Sequence, residues 1–161
     1  MDTIEFKNSH YPILQSKGNA SRFAFPFAKE FCKGNGLDVG CMKLEWAYPG
    51  ATPIDLSFDD EYEANNLPPG NWDFIFSSHC LEHLHDWVEI LDYWFTVAPT
   101  IFLYLPHYDQ KYWRPWNNRK HITAFYPEML RDYFNDRGHK NFVTEGWDLN
   151  HSFYAVAERT L

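Results

Sequence analysis

The stretch that decides the fold runs from Trp72 to His107, WDFIFSSHCLEHLHDWVEILDYWFTVAPTIFLYLPH. Trp72 to Ser77 carries three rings and an isoleucine and predicts a strand. Leu81 to Phe95 predicts a helix, because Leu84, Val88, Leu91 and Phe95 fall on one face at helical spacing. Thr100 to Leu105 is almost wholly apolar, as a central parallel strand covered on both faces must be.

The same alternation continues outward. Toward the N-terminus, Gly36-Leu-Asp-Val-Gly40 reads as a short buried strand broken by glycine, and Thr52-Pro-Ile-Asp55 as a second in which pairing begins after the proline. Asn19 to Lys33 predicts a helix. Asn19 or Ser21 could cap its start, Pro26 bends it or resets its beginning, and Gly34 and Gly36 end it. Toward the C-terminus, Pro127 to Asn135 predicts a helix with proline in its first turn, and Asn141 to Glu145 and Ser152 to Ala157 two closing strands. Strands alternating with helices argue for one mostly parallel sheet with helices on both faces.

Composition narrows the function classes. The chain has 161 residues, one domain by length, and 45% of them are hydrophobic, as in ordinary globular proteins. Aromatics reach 19%, which implies a ring-rich core or a ring-lined pocket. The formal charge is -8, and the one basic cluster, Arg114 to Lys120, is interrupted by Pro115, Trp116 and two asparagines. No nucleic-acid partner is expected. No apolar stretch has membrane-spanning length, so no membrane partner is expected either. Cys32, Cys41 and Cys80 form no paired-cysteine motif, and Met1 to His10 carries no signal-like pattern, so the expected setting is cytoplasmic.

In open α/β sheets, ligands sit beyond the carboxyl ends of the strands, where strand order reverses. The places to search therefore follow Val39, Ile54, Phe76 and Leu105. The first carries Asp38-Val-Gly-Cys-Met42, where glycine lets the backbone approach a ligand. The second carries Asp55, an acid suited to a ribose diol, followed by Glu63-Ala64. The third carries Ser77-Ser-His-Cys-Leu-Glu-His83 and the fourth Pro106-His107.

Taken in order, Gly36-Leu-Asp-Val-Gly-Cys41, the acid of Pro53-Ile-Asp55, the run from Trp72 to Leu84 and Phe102-Leu-Tyr-Leu-Pro-His107 resemble class I S-adenosylmethionine-dependent methyltransferases. They are most similar to the small methyltransferase-domain type with a strand-Ser-Ser-His-x-Leu-Glu-His signature, often found beside polysaccharide biosynthesis genes. His121-Ile-Thr-Ala-Phe-Tyr-Pro-Glu128 resembles that type's later His-x-x-x-Phe-x-Pro-Glu segment. The resemblance implies an α/β, three-layer Rossmann-like methyltransferase fold, a mostly parallel sheet with an antiparallel C-terminal strand. Residues 1–34 would be an extension and helix, and residues 35–161 the core. It implies S-adenosyl-L-methionine as cofactor and a small molecule or sugar as methyl acceptor. Its positions put Asp38, Gly40 and Cys41 against the methionine part, with Met42 in the same loop. Asp55 would hold the ribose hydroxyls, Leu56 would lie beside the adenine, and Glu63 and Ala64 near that ring. Ser78 and His79 would sit close to the sulfonium.

Three departures from the family pattern stand out. Met42 replaces a second glycine, the following loop and helix are compressed into Lys43 to Ala51, and Val97-Ala98-Pro99-Thr100 replaces a glycine-rich turn. The first two keep open an alternative: a catalytically degenerate protein of this fold, serving as a cofactor-binding or protein-interaction module.

His107 and His121 are the candidate general bases, since imidazole titrates in the range that activating an oxygen nucleophile needs. His79, Cys80, His83, His85 and Asp86 crowd metal-ligating types into eight residues, but without His-Glu-x-x-His or paired-cysteine spacing, and no metal is expected. Tyr104, Tyr108, Tyr112, Trp113 and Trp116 read equally as an acceptor platform or as a packed aromatic loop. Exposed aromatics allow a homo-oligomer. Gln15 to Arg22 could fold over the cofactor or only cap the first helix.

Overall fold

The computed structural model describes residues 3–6, 9–12, 20–148 and 150–160. Strands β1 (Thr3–Phe6) and β2 (Ser9–Pro12) form an antiparallel pair that no sequence pattern announced. A 3-10 turn, Ala20–Phe23, leads into α1 (Phe25–Phe31), and β3 (Gly36–Val39), β4 (Thr52–Ile54) and β5 (Phe74–Ser78) follow. Then come α2 (Trp87–Val97), β6 (Thr100–Pro106), α3 (Pro127–Asp136), β7 (Lys140–Val143) and β8 (Ser152–Glu158).

The main sheet has six strands in the order β4-β3-β5-β6-β8-β7. β4, β3, β5 and β6 are parallel, and β8 runs antiparallel between β6 and β7. The chain leaves β3 for β4 on one side and returns to β5 on the other. Strand order thus reverses at β3 and β5, and the loops at their carboxyl ends open the crevice in which such sheets bind ligands.

Alternation along the strands builds two unlike layers. On one face Leu37, Val39, Ile75, Ile101, Leu103 and Leu105 pack with Leu91, Trp94 and Phe95 of α2 and Leu130 and Phe134 of α3. On the other, Phe74, Phe76, Phe102 and Tyr104 meet Ala24, Ala28 and Tyr48. Rings there form a ladder across the sheet: Tyr48 stacks on Phe76 at 4.9 Å, Phe76 on Phe102 at 5.6 Å and Phe102 on Tyr154 at 5.7 Å. Such pairs add about 0.5–1.5 kcal/mol each beyond area burial. With only a 3-10 turn, Leu44–Trp46, between β3 and β4, Tyr48 covers sheet that a crossover helix would otherwise cover. This accounts for many of the rings counted in the sequence.

Several elements differ from their expected form. Ser21 does not cap α1: its hydroxyl donates to the Trp46 carbonyl at 3.1 Å, and Ala24 stands at the N-cap. Pro26 lies in the first turn of α1, so the proline resets the helix start, and Cys32 ends it ahead of Gly34. Asn19 and residues 15–18 lie outside the described residues. Pro53 is inside β4 and opposite Asp38, so pairing begins before it. An edge strand tolerates this because one side of it makes no ladder bonds. The helix expected from Leu81 to Phe95 is two pieces. Leu81–His83 is a 3-10 turn, Leu84 is extended, Asp86 is left-handed at φ 55°, and α2 begins only at Trp87.

Candidate functional site

At the end of β3 the loop is held by backbone and carboxylate. Asp38 is 1% exposed. Its Oδ2 accepts the Tyr48 N–H at 2.6 Å, while Oδ1 is buried without a partner. Burial pushes its pKa up to about 7, against the lowering effect of the Tyr48 amide. Gly40 has φ 86° and donates to the Ile54 carbonyl at 2.8 Å. A Cβ there would run into Cβ and Sγ of Cys80, so the approach this glycine permits is that of Cys80. Buried Cys41 has its thiol raised to about 12, chiefly by desolvation. The Lys43 N–H donates to the Cys41 carbonyl at 2.7 Å, closing a three-residue turn about Met42, whose φ is 64°. Met42 thus adopts the glycine-like backbone of the position at which the resembled loop pattern has a second glycine.

Asp55 secures that turn. Its Oδ2 accepts the Met42 N–H at 2.7 Å and its Oδ1 the Ser57 N–H at 2.9 Å, while the Ser57 hydroxyl donates to the Met42 carbonyl. Leu56 is 66% exposed beside it. Glu63 exchanges backbone hydrogen bonds with Asn66, and the Ala64 carbonyl accepts Trp94 Nε1–H at 2.7 Å, which ties this loop to α2.

At the end of β5, Ser78 is buried with an unpartnered hydroxyl, and His79 is left-handed at φ 51°. His79 Nε2 lies 2.9 Å from Ser152 Oγ. Ser152 donates onward to the Asn150 carbonyl, and Asn150 Nδ2–H reaches the Tyr104 hydroxyl at 3.2 Å. Tyr104 in turn donates to Asp148 at 2.5 Å. Desolvation holds the His79 ring neutral, its pKa lowered to about 3. Tyr104 is 1% exposed and belongs to this network, so it is no part of an aromatic platform. Of the platform's other rings, Tyr108 stacks on Tyr126 at 4.1 Å under the Arg114 guanidinium, and Trp116 is exposed.

Glu82, to which the sequence assigned no role, is fully buried with neither carboxylate oxygen hydrogen-bonded. Burial raises its pKa to about 8. His79 Nδ1 and His83 Nε2 stand 3.8 Å and 3.9 Å from its Oε1. The loop carrying His121 is fastened to the same turn, since the Ile122 and Thr123 N–H groups donate to the Glu82 carbonyl at 2.7 Å and 3.1 Å. His121 is buried, stacked on Trp113 at 4.8 Å, and lowered to about 3 by desolvation and by His83. His85 and Asp86 are exposed.

His107 lines a shallow pocket with Gln110, Trp113, Arg114 and His121, so the structure brings the two candidate bases to one place. Its Nδ1 accepts the Asp109 N–H at 3.1 Å, leaving its proton on Nε2, and desolvation lowers its pKa. No segment among the described residues is long and apolar enough to cross a membrane as a helix.

No family model and no curated protein matches the chain. Solved structures do. An S-adenosylmethionine-dependent methyltransferase from Aquifex aeolicus is 17% identical, with a TM-score of 0.59, over 90% of this chain and 96% of that one. A chain from the Haloferax volcanii complex of the Trm112 methyltransferase activator with a methyltransferase is 12% identical, with a TM-score of 0.62, over 90% and 92%. The plantazolicin methyltransferase BpumL, solved with S-adenosylhomocysteine, is 12% identical, with a TM-score of 0.60, over 88% and 83%. At these identities the likeness is one of fold. The chain has the Rossmann-like methyltransferase fold, a mostly parallel sheet with an antiparallel strand inserted next to its last parallel one.

Proposed function

We propose that the chain is an S-adenosylmethionine-dependent methyltransferase acting on a small-molecule or sugar acceptor, with its cofactor in the crevice at the ends of β3 and β5. The observation that carries this reading is a pair of orphaned buried oxygens, Asp38 Oδ1 and Ser78 Oγ, on the two strands that flank the reversal of strand order. An unsatisfied buried polar group costs about 1–3 kcal/mol, and a ligand rich in amine and hydroxyl donors would relieve both. Asp38, Gly40, Cys41 and Met42 are assigned to the methionine part. Asp55 is assigned to the ribose: its two amide bonds leave carboxylate lone pairs for hydroxyl donors. Leu56, Glu63 and Ala64 are assigned to the adenine, and Ser78 and His79 to the neighbourhood of the reacting centre.

The cofactor, when bound, supplies an electrophilic methyl group on a sulfonium. The chain's own part is to orient the acceptor and keep water out, which is where such enzymes gain most. His107 and His121 line the acceptor side in this reading. His107 would take a proton only after its Nδ1 leaves the Asp109 amide, so replacing it with glutamine is expected to lower kcat less than tenfold.

The test is titration calorimetry with S-adenosylmethionine and S-adenosylhomocysteine on the wild-type protein and on Asp55→Ala. Micromolar binding, on the order of -8 kcal/mol, at least tenfold weaker in the variant, supports the site. A silent titration in folded protein would leave an interaction module of this fold. That second reading is favoured by one observation: the space beside Gly40 is filled by Cys80.

A further inference from the structure

We propose that Glu82, His83 and His121 form a binding site for one divalent cation of the zinc class, which shares His121 with the acceptor side of the methyl-transfer reading but does not require that reading. One donor atom from each residue lies within 4.8 Å of the others, and among the described residues this is the one such convergence of three or more His, Cys, Asp or Glu side chains.

Three observations distinguish it from a chance cluster. The first is Glu82 itself, 0% exposed, with both carboxylate oxygens lacking a hydrogen bond. Protein interiors keep a buried carboxylate by pairing it or by giving it a metal, because bare burial is costly. His79 and His83 come within ion-pair range at 3.8 Å and 3.9 Å but make no hydrogen bond to it.

The second is the orientation of the rings. His83 Nδ1 donates to the Lys120 carbonyl at 2.6 Å, so Nε2, the nitrogen near Glu82, presents its lone pair. At His121 the Trp113 backbone favours a proton on the ring, against the lowering effect of burial. Fixing the tautomer of a ligating histidine through its far nitrogen is the usual outer support of a metal site.

The third is rigidity with access. The Glu82 carbonyl holds the Ile122 and Thr123 amides, and Trp113 lies nearly parallel to the His121 ring, 8° between planes. The His83 side chain is 38% exposed and offers a way in.

Two imidazoles and one carboxylate are a zinc or iron(II) donor set with coordination positions left for water or another ligand. Ligands at about 2.1 Å around a tetrahedral zinc lie about 3.4 Å apart, so the three donors need only close by about an ångström on binding. His79 Nδ1 stands 3.8 Å from the same carboxylate oxygen but lies outside the convergence of the three donors. Glu82 and His83 are adjacent in sequence and His121 is far downstream, which matches no short metal motif.

The experiment uses tag-free full-length protein stripped with a chelator, titrated with ZnCl2 by calorimetry and checked by elemental analysis. One zinc per chain and a raised thermal midpoint are expected. Glu82→Gln and His83→Asn should each weaken binding at least tenfold, and His85→Asn, an exposed neighbour outside the cluster, should not. His83 is partly exposed, so that variant serves if Glu82→Gln misfolds. Absent zinc binding in folded wild-type protein, unchanged affinity in His83→Asn, or uptake of Mg2+ with refusal of Zn2+ would each overturn the proposal.

Discussion

The two sides of the sheet's carboxyl edge are held by different means. At β3 and β4, the Met42 turn hangs on backbone amides donated to Asp55, and the Met42 side chain is 56% exposed. At β5, β6 and β8, His79, Tyr104, Asn150 and Ser152 interlock through side chains, and the last three are almost wholly buried. The first side carries one left-handed residue that is not glycine, Met42, and the second carries two, His79 and His151. The same backbone cost is thus met by solvent-exposed ties in one place and by a buried network in the other. Exposed ties yield to a ligand at little cost; a buried network is lost only with the fold around it.

Gly40→Ala attacks the seam between the two sides and should have the largest effect. It places a Cβ at φ 86° and drives it into Cys80. Left-handed strain of about 1–2 kcal/mol and overpacking of about 1–3 kcal/mol add in the same direction. A fall of about 3 kcal/mol in urea unfolding is expected, and a loss under 1 kcal/mol would show that the seam is loose.

Asp38 sharpens the contrast through pH. Its folded pKa is raised to about 7 by burial, so the protonated acid is favoured in the folded state. The stabilising contribution is full below the unfolded carboxylate range, near pH 4, and is lost as pH rises through about 7. Wild-type stability relative to Asp38→Asn should therefore fall across that window, at most about 1.4 kcal/mol per pH unit, and level off above it. Parallel pH profiles for the two proteins would mean that Asp38 stays ionised. A bound donor at Oδ1 would favour ionisation and flatten the difference, which ties this measurement to the cofactor reading.

Removing the Tyr104 hydroxyl tests the buried side directly. Tyr104→Phe leaves Asp148 and Asn150 short of a partner, and a cost of about 1–3 kcal/mol is expected in urea unfolding. A neutral outcome would mean that water replaces the hydroxyl and that the network is wetter than its burial suggests.

What the sequence made legible follows from range. β5 and β6 were readable because their apolar runs are local, and the places of Asp38, Gly40 and Asp55 at strand ends because the short strands that carry them are marked by glycine and proline. Leu81 to Phe95 misled because apolar spacing continues across a break made by extended Leu84 and left-handed Asp86, which periodicity cannot register. Asn150, Ser152 and the partnership of Glu82 with His121 depend on β8 lying beside β6 and on the Ile122 and Thr123 amides reaching the Glu82 carbonyl. Those are contacts between distant segments, and no pattern within a window of residues carries them.

The smallest expected effect separates left-handed Met42 from left-handed His79. Met42→Gly relieves about 1–2 kcal/mol of backbone strain and costs about 0.5–1 kcal/mol in chain entropy, while the exposed Met42 side chain gives up little packing. A net gain of up to about 1 kcal/mol is expected, with the Asp55 bond to the residue 42 amide kept. His79→Gly relieves the same strain but removes a ring bonded to Ser152, so its net effect should be destabilising. Opposite signs in paired urea titrations would establish that one side of the crevice spends strain on a replaceable residue and the other on its network. Equal signs would mean that backbone geometry, rather than what the side chain is bonded to, governs both.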